Sequence, residues 1–253
     1  MENRSILTLI VPVYNEAEHL AQVVQALMEK AKTLPVQCEW IFVDDFSNDA
    51  SLTVLKTLQR QYDFKIIVQE NNQGKGAAVI RGIEAASGDF IVIQDADFEY
   101  DLSDVARLLE PLIEQRADVV YGNRFGEGSF QAHWTWHYFA NRILTILSNL
   151  LSGIHLSDME TCYKVFRAEL LKSMRLQSKR FGVEVELTAY LAKVSIRIQE
   201  LPISYHPRTR RQGKKITWKD GFAALWHLFR FNWFTSVEQA YGLKESRPRA
   251  SDS

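Results

Sequence analysis

The sequence predicts an α/β fold with a mostly parallel central sheet and flanking helices. Two observations lead there. Short apolar runs rich in Ile and Val alternate with segments of helical spacing through the first 121 residues. Each apolar run also stops at a polar cluster, as strands do where they leave a sheet. Alternation of this kind implies βαβ units.

Thr8–Val13 reads as a buried strand, and Glu16–Lys32 carries helical spacing through Leu20, Val23, Val24, Leu27 and Met28. Trp40–Val43 is a second strand and Ser51–Tyr62 a second helix. Phe64–Val68, Lys75–Ala86, Phe90–Ile93, Leu102–Glu114 and Val119–Tyr121 continue the alternation. The second half is less regular. Trp134–Leu151 is an aromatic and aliphatic stretch interrupted by Asn141, Arg142, Ser148 and Asn149. Glu184–Ala192 reads as helix, Ser195–Ile203 as strand and Trp218–Phe234 as an aromatic-rich helix. With no long linker or repeat, one domain is expected over residues 1–243, followed by a polar, disordered tail at 244–253.

The chain has 253 residues, enough to bury a sizeable core, and its 46% hydrophobic and 24% charged content is ordinary for a globular protein. A formal net charge of -1 gives no overall field toward nucleic acid, so no nucleic-acid partner is expected. Cys38 and Cys162 fit neither a zinc site nor a disulfide framework. Met1–Ser5 lacks the features of a signal peptide, and no apolar run approaches the roughly 18 residues of a spanning helix. A reducing, cytoplasmic setting is the expectation.

In open parallel sheets, ligands bind outside the carboxyl ends of the strands. Those ends carry Tyr14-Asn15-Glu16, Asp44-Asp45, Asn72-Gln73-Gly74-Lys75-Gly76, Asp95-Ala96-Asp97 with Glu99, and Asn123-Arg124. One such cluster is usually a turn; five at one edge are hard to explain that way. Asp95 and Asp97 suit a hard cation that also holds a diphosphate, although Asp97 could instead cap the following turn. Asn48 or Asp49 is a natural N-cap for the second helix, a role that leaves Asp44 and Asp45 unexplained. Gly74-Lys75-Gly76 opens a helix and is either an anion site or a plain turn; it matches neither GxxxxGK[ST] nor GxGxxG. Arg124 pairs with phosphate or forms a surface salt bridge. Asp158, Glu160 and Thr161 form a polar break beside Lys164 and Arg167. The run Arg208, Arg210, Arg211, Lys214, Lys215 is either a solvated face or a mobile loop over phosphates.

Val11-Pro12-Val13-Tyr14-Asn15-Glu16, the Asp44-Asp45 turn, Asn72-Gln73-Gly74-Lys75-Gly76 and Gln94-Asp95-Ala96-Asp97 occur in order. Together they resemble the family 2 glycosyltransferases of GT-A fold. More narrowly, the chain is similar to the dolichyl-phosphate mannose synthase group of polyprenyl-phosphate glycosyltransferases, with Asp158–Phe166 resembling that group's acceptor-side motif. The likeness covers roughly residues 6–235. It implies a donor-binding half over about 6–125 and an acceptor half over about 126–235.

The resemblance implies roles residue by residue. Pro12, Tyr14, Glu16 and Asp44 hold base and ribose, flanked by Asp45 and Lys75. Asp95 and Asp97, with Ala96 between them at the nucleotide sugar, bind Mg²⁺ or Mn²⁺, and Glu99 stands where a further ligand falls. Arg124 and the Arg208–Lys215 run, including Lys214, engage phosphates, and Asp158 sits near the reacting sugar. Asp158, Asp97 and Arg124 are thus the expected catalytic residues. The implied reaction is an inverting transfer of a hexose from GDP-mannose, UDP-glucose or another nucleotide sugar. The expected acceptor is a polyprenyl phosphate at the cytoplasmic membrane face, with peripheral contact through Trp134–Leu151 and Gly221–Phe234. Against this stand a core or dimer role for those segments, a soluble or polysaccharide acceptor, a nucleotidyltransferase, and a non-catalytic nucleotide-sugar sensor. Some relatives carry C-terminal membrane spans that this sequence lacks.

Overall fold

The computed structural model describes residues 5–126, 136–180, 182–207 and 218–242. Ile6–Val13 (β1), Gln37–Asp44 (β2), Lys65–Val68 (β3) and Phe90–Ile93 (β4) form a parallel group. Val119–Asn123 (β5), Lys164–Arg167 (β6) and Ile198–Pro202 (β7) extend it into a seven-stranded sheet of order β3-β2-β1-β4-β6-β5-β7. β6 is antiparallel to both β4 and β5, and β7 is parallel to β5. Every strand except β6 therefore ends at the same edge, and β6 begins there.

The alternation predicted for the first half is present. Ala17–Ala31 (α1), Ser51–Leu58 (α2), Lys75–Ala85 (α3) and Asp104–Ile113 (α4) separate the first five strands. α3 packs on β1 and β2, and α4 on β5 and β6. α4 tolerates Pro111 while burying Val105, Leu108, Leu109 and Leu112. The central strands are buried on both faces, which is why they read as near-continuous apolar runs.

Three expectations change. β2 starts at Gln37 rather than Trp40, because Gln37, Cys38 and Glu39 pair with Ile6, Leu7 and Thr8 despite their polarity. The N-cap residue of α2 is Ala50 rather than Asn48 or Asp49, although the Asp49 carboxylate takes the first N–H of α2, from Ser51 at 2.9 Å, and the first of α1, from Ala17 at 3.0 Å. Lys164–Arg167 is a strand. Arg167 therefore lies a strand length from the site edge, paired with Asp118 at 3.6 Å, and does not join the Asp158 cluster.

In the second half, Trp136–Ser152 (α5), Val183–Leu191 (α7) and Trp218–Trp233 (α8) pack on one another. Ala168–Ser173 (α6) and Val237–Tyr241 (α9) are short additions, the latter closed by a capping box between Ser236 and Gln239 and by Gly242 in the left-handed region. α7 is buried all round, Glu184 and Glu186 included. α5 leaves Phe139, Ile143, Ile146 and Leu150 exposed at helical spacing, and α8 and its end leave Trp226, Phe229, Trp233 and Phe234 exposed. Among the described residues no helix is long and apolar enough to cross a membrane.

Candidate active site

The carboxyl ends of β1 and β2 are stitched into one surface. Ser47 Oγ accepts Asn15 N–H at 3.1 Å, Asn15 Oδ1 accepts Asn48 N–H at 2.8 Å, and Ser51 Oγ accepts Glu16 N–H at 2.9 Å. Asn15 and Phe46 hold φ of 51° and 60°, the tight conformations that let both loops turn at the strand tips. Pro12, Tyr14 and Glu16 are part-buried along this surface. Asp44 is 1% exposed: Oδ2 accepts Ser47 N–H at 3.1 Å, and Oδ1 is buried with no hydrogen-bond partner. A buried acceptor without a donor is costly, and a ligand N–H or hydroxyl would satisfy it.

Asp45 behaves differently. Its carboxylate accepts from Gln69 Nε2 at 2.5 Å, Asn72 Nδ2 at 2.9 Å, Gln73 N–H at 2.8 Å and Gly74 N–H at 2.7 Å. This latch fixes the β3–α3 loop to β2. Asp45 follows Asp44 at the tip of β2, and its bonds run to protein.

The Gly74-Lys75-Gly76 turn is not an open anion cradle. Gly76 N–H and Ala77 N–H, at the head of α3, donate to Arg180 O at 3.1 Å and Lys179 O at 3.0 Å. A Cβ on Gly74, whose φ is 97°, would lie 2.6 Å from Lys179 O; one on Gly76 would lie 2.1 Å from Ser178 O. The glycines admit another stretch of backbone, so the turn reading prevails over the phosphate one. Lys75 points to acids: Nζ is 2.8 Å from Asp95 Oδ1, 3.2 Å from Glu184 Oε1 and 3.7 Å from Cys162 Sγ. Burial alone would lower its pKa, but Asp95, Cys162 and Glu184 outweigh that and hold the ammonium charged, well above its ordinary value. Burial first, then the Asp95 carboxylate, pushes the Cys162 thiol up, so it stays protonated.

Beyond β4, Gln94 accepts from the Tyr163 hydroxyl at 2.5 Å, and Ala96 is buried. Asp97 is 7% exposed, and its Oδ1 accepts Glu99 N–H at 2.9 Å. That bond turns the chain, and Glu99 Oε2 accepts the Tyr205 hydroxyl at 3.0 Å. Asp95, Asp97 and Glu99 therefore do not form a three-acid ligand set; among the described residues no three His, Cys, Asp or Glu side chains could hold a metal. Asp95 and Asp97 fit a cation that takes only one or two protein carboxylates and completes its shell with phosphate and water oxygens, as Mg²⁺ does.

At the end of β5, Arg124 meets Asp158. Nε and Nη2 each lie 2.7 Å from a carboxylate oxygen, and Arg124 N–H adds a bond at 3.1 Å. Asp158 is fully buried, and its own N–H donates to Glu200 Oε1 at 3.1 Å. The guanidinium lies 5.5 Å from the Phe125 ring centroid and 5.1 Å from that of Tyr205. Burial disfavours this charge, but Asp158 outweighs the cost and raises the Arg124 pKa well above its ordinary value. Both are at the edge, as expected, yet paired with each other: Arg124 is no free phosphate clamp, and both Asp158 oxygens are engaged by its guanidinium. Arg208 and Lys214 lie outside the described residues.

Sequence reasoning missed Glu184, Tyr100, Tyr205 and Glu200. Tyr100 accepts Cys162 N–H at 3.0 Å, and its ring lies tilted against those of Tyr163 and Tyr205. Glu184 had a signal: it is one of two acids in the mainly apolar run Val183–Leu191, and a buried acid asks for a cation, which Lys75 supplies.

The chain is similar to known proteins. The pattern of glycosyl transferase family 2 matches residues 8–175. A dolichol-phosphate mannosyltransferase of Pyrococcus furiosus is 26% identical over 230 residues, covering 88% of this chain and 63% of its own. A dodecaprenyl-phosphate galacturonate synthase of Rhizobium johnstonii is 29% identical over 211 residues, covering 80% of this chain and 59% of its own. The chain thus spans about three fifths of the length of the curated relatives it matches. Glucosyl-3-phosphoglycerate synthase of Mycobacterium tuberculosis, solved with Mn²⁺, uridine diphosphate and glucosyl-3-phosphoglycerate, superposes with a TM-score of 0.66. That match has 18% identity and covers 96% of this chain and 82% of the other; the expected GT-A fold is the one they share. By a family pattern matched along most of its length, the chain belongs to glycosyl transferase family 2.

Proposed function

We propose that the protein moves a hexose from a nucleoside-diphosphate sugar to a polyprenyl phosphate at the cytoplasmic face of a membrane. The observation that carries the transfer reading is that Asp44 Oδ1, buried and without a donor, lies at the same sheet edge as the Asp95–Asp97 pair, with β1 between their strands. The names of the two relatives, a dolichol-phosphate mannosyltransferase and a dodecaprenyl-phosphate galacturonate synthase, supply the acceptor class.

Pro12, Tyr14, Glu16 and Asp44 hold base and ribose, with Asp44 Oδ1 accepting from the nucleoside. Asp45 keeps the neighbouring loop in place. Asp95 and Asp97, with Ala96 between them, would hold Mg²⁺ or Mn²⁺, whose charge would offset that developing on the departing diphosphate. Lys75 orients Asp95 from below, Glu99 steadies Tyr205, and the Arg124–Asp158 pair forms a rigid floor beside the reacting sugar. Arg208 and Lys214 are assigned to the phosphates. An acceptor oxygen attacks the anomeric carbon in line, the bond to the diphosphate oxygen breaks, and configuration inverts. A phosphate monoester has a second pKa of about 6 and so is mostly dianionic at neutral pH, already a competent nucleophile.

The apolar stripes of α5 and α8 support docking to lipid, since together they present eight large apolar side chains, with Leu150 76% exposed. A thermal-shift panel of nucleoside-diphosphate sugars with and without Mn²⁺ tests the donor side; no stabilisation by any of them would refute it. Flotation with liposomes tests the membrane side, where equal recovery with and without lipid rejects docking.

A further inference from the structure

Lys75 sits between two carboxylates from different parts of the fold. Its Nζ lies 2.8 Å from Asp95 Oδ1, just beyond β4, and 3.2 Å from Glu184 Oε1, in the first turn of α7. Cys162 Sγ lies 3.7 Å away, so the three N–H bonds of the ammonium have three acceptors. Both carboxylates are shielded, with side-chain exposures of 23% for Asp95 and 11% for Glu184.

Backbone contacts bring Glu184 to this place. One turn along α7, the Glu186 carboxylate accepts Gln177 N–H at 2.7 Å and Ser178 N–H at 2.8 Å. The next two carbonyls, Lys179 O and Arg180 O, accept Ala77 N–H and Gly76 N–H at the head of α3. Gly74 and Gly76 leave the room that segment needs. The start of α7 and the head of α3 are thus held as one unit, with Glu184 and Lys75 facing each other across it.

Charge gives the pairing a consequence. Asp95 and Lys75 alone would form a neutral pair, with the ammonium competing against any cation for the carboxylate. With Glu184, two carboxylates share one ammonium, which leaves one negative charge. Asp97, buried in the same turn as Asp95, adds a second, and together they match a divalent cation. Lys164 is the other cation near Glu184, but its ammonium donates to Thr161 O and lies 5.0 Å from the Tyr121 ring centroid.

We propose that Glu184 is a positioning residue of the metal site: it shares the Lys75 ammonium, so that Asp95 keeps the charge and orientation a divalent cation requires. The inference rests on the sugar-transfer reading above, in which Asp95 and Asp97 are the metal-binding residues. Removing a supporting partner of this kind typically weakens metal binding by about 10- to 100-fold.

The test titrates the full chain with Mn²⁺ in saturating UDP or GDP, with bound metal read by electron paramagnetic resonance. Thermal unfolding without metal checks the fold. Glu184→Gln keeps the volume and removes the charge. It is expected to weaken Mn²⁺ binding by about 10- to 100-fold, with metal-free UDP and GDP affinities as in wild type. Glu184→Asp, which keeps the charge, is expected to bind Mn²⁺ more tightly than Glu184→Gln. Adding Lys75→Met to Glu184→Gln removes the ammonium as well and restores the local charge balance. That double variant is also expected to bind Mn²⁺ more tightly than Glu184→Gln alone, whereas a merely structural Glu184 predicts a further loss. Wild-type Mn²⁺ affinity in Glu184→Gln, or a double variant no tighter than the single one, overturns the assignment. If Glu184→Gln does not fold, a crystal structure of the wild-type protein with Mn²⁺ and UDP decides. Lys75 Nζ within hydrogen-bond reach of both Glu184 and a metal-bound Asp95 supports the proposal; an ammonium that has left either carboxylate overturns it. Wild-type protein that binds no Mn²⁺ with either nucleotide overturns the donor-site reading and this assignment together. Wild-type binding that Glu184→Gln leaves unchanged removes this assignment alone.

Discussion

Arg124 grips Asp158 through two parallel hydrogen bonds of 2.7 Å each, inside a region where Asp158 has no solvent exposure. Removing one partner strands a buried charge, so Asp158→Ala is expected to destabilise the fold by about 3–5 kcal/mol. The double variant Arg124→Met, Asp158→Leu should lose less than either single truncation, because no lone charge remains. Urea unfolding of the four proteins checks this; equal losses for all three variants would show that the pair does not behave as a coupled unit.

Asp97→Ala should leave the unfolding midpoint close to wild type while abolishing turnover and metal-dependent nucleotide binding. Asp97 lies in the turn after β4, where its Oδ1 accepts Glu99 N–H at 2.9 Å, so the loss is expected at the site rather than in the core. Titration with nucleoside diphosphate in the presence and absence of Mn²⁺ reads the effect. Wild-type affinity with Mn²⁺ would remove Asp97 from the metal site.

Asp45→Ala should act chiefly on order rather than chemistry. Four donors from Gln69, Asn72, Gln73 and Gly74 would lose their shared acceptor. A loss of at least about 2 kcal/mol is expected, with faster amide exchange confined first to the Gln69–Gly74 loop. Unchanged exchange there would contradict the latch.

Glu39 gives a pH signature far from the site. Burial alone would raise its pKa, but bonds from Lys65, Thr8 and Ser87 lower it to about 2. A carboxylate whose folded pKa is depressed stabilises fully above its unfolded pKa, and that stability is lost as pH falls toward the folded value. The window is therefore pH 4.5 down to about 2, and the contribution at neutral pH is at most about 3 kcal/mol. Glu39→Gln should flatten the acid limb of a stability-versus-pH curve; a limb identical to wild type would exclude this role.

The first half of the fold was legible because its strands carry apolar runs, the central ones buried on both faces, and each run ends in polar residues. The second half was not, for reasons visible in particular residues. β6 is four residues long, begins with Lys164 and ends with Arg167, and takes its strand identity from β4 and β5 rather than from its own pattern. At the site, the residue types at the strand tips were readable from sequence, but their partners were not. Nothing local tells that Asp158 reaches Arg124 across 34 positions, that Lys75 serves Asp95 and Glu184, or that Gly74 and Gly76 make room for residues 178–180.

The reversed strand also sets a tolerance. β4 and β5 stand one strand apart, a separation of roughly 10 Å fixed by backbone hydrogen bonding. Residues 158–163 bridge that gap and must enter β6 in one phase, since adjacent side chains on a strand face opposite sides. Inserting or deleting a single residue between Asp158 and Lys164 would turn Lys164 and Phe166 to the other face of the sheet, or pull Asp158 from its partner. Conservative exchanges in this segment are thus expected to be accepted far more readily than any change in its length.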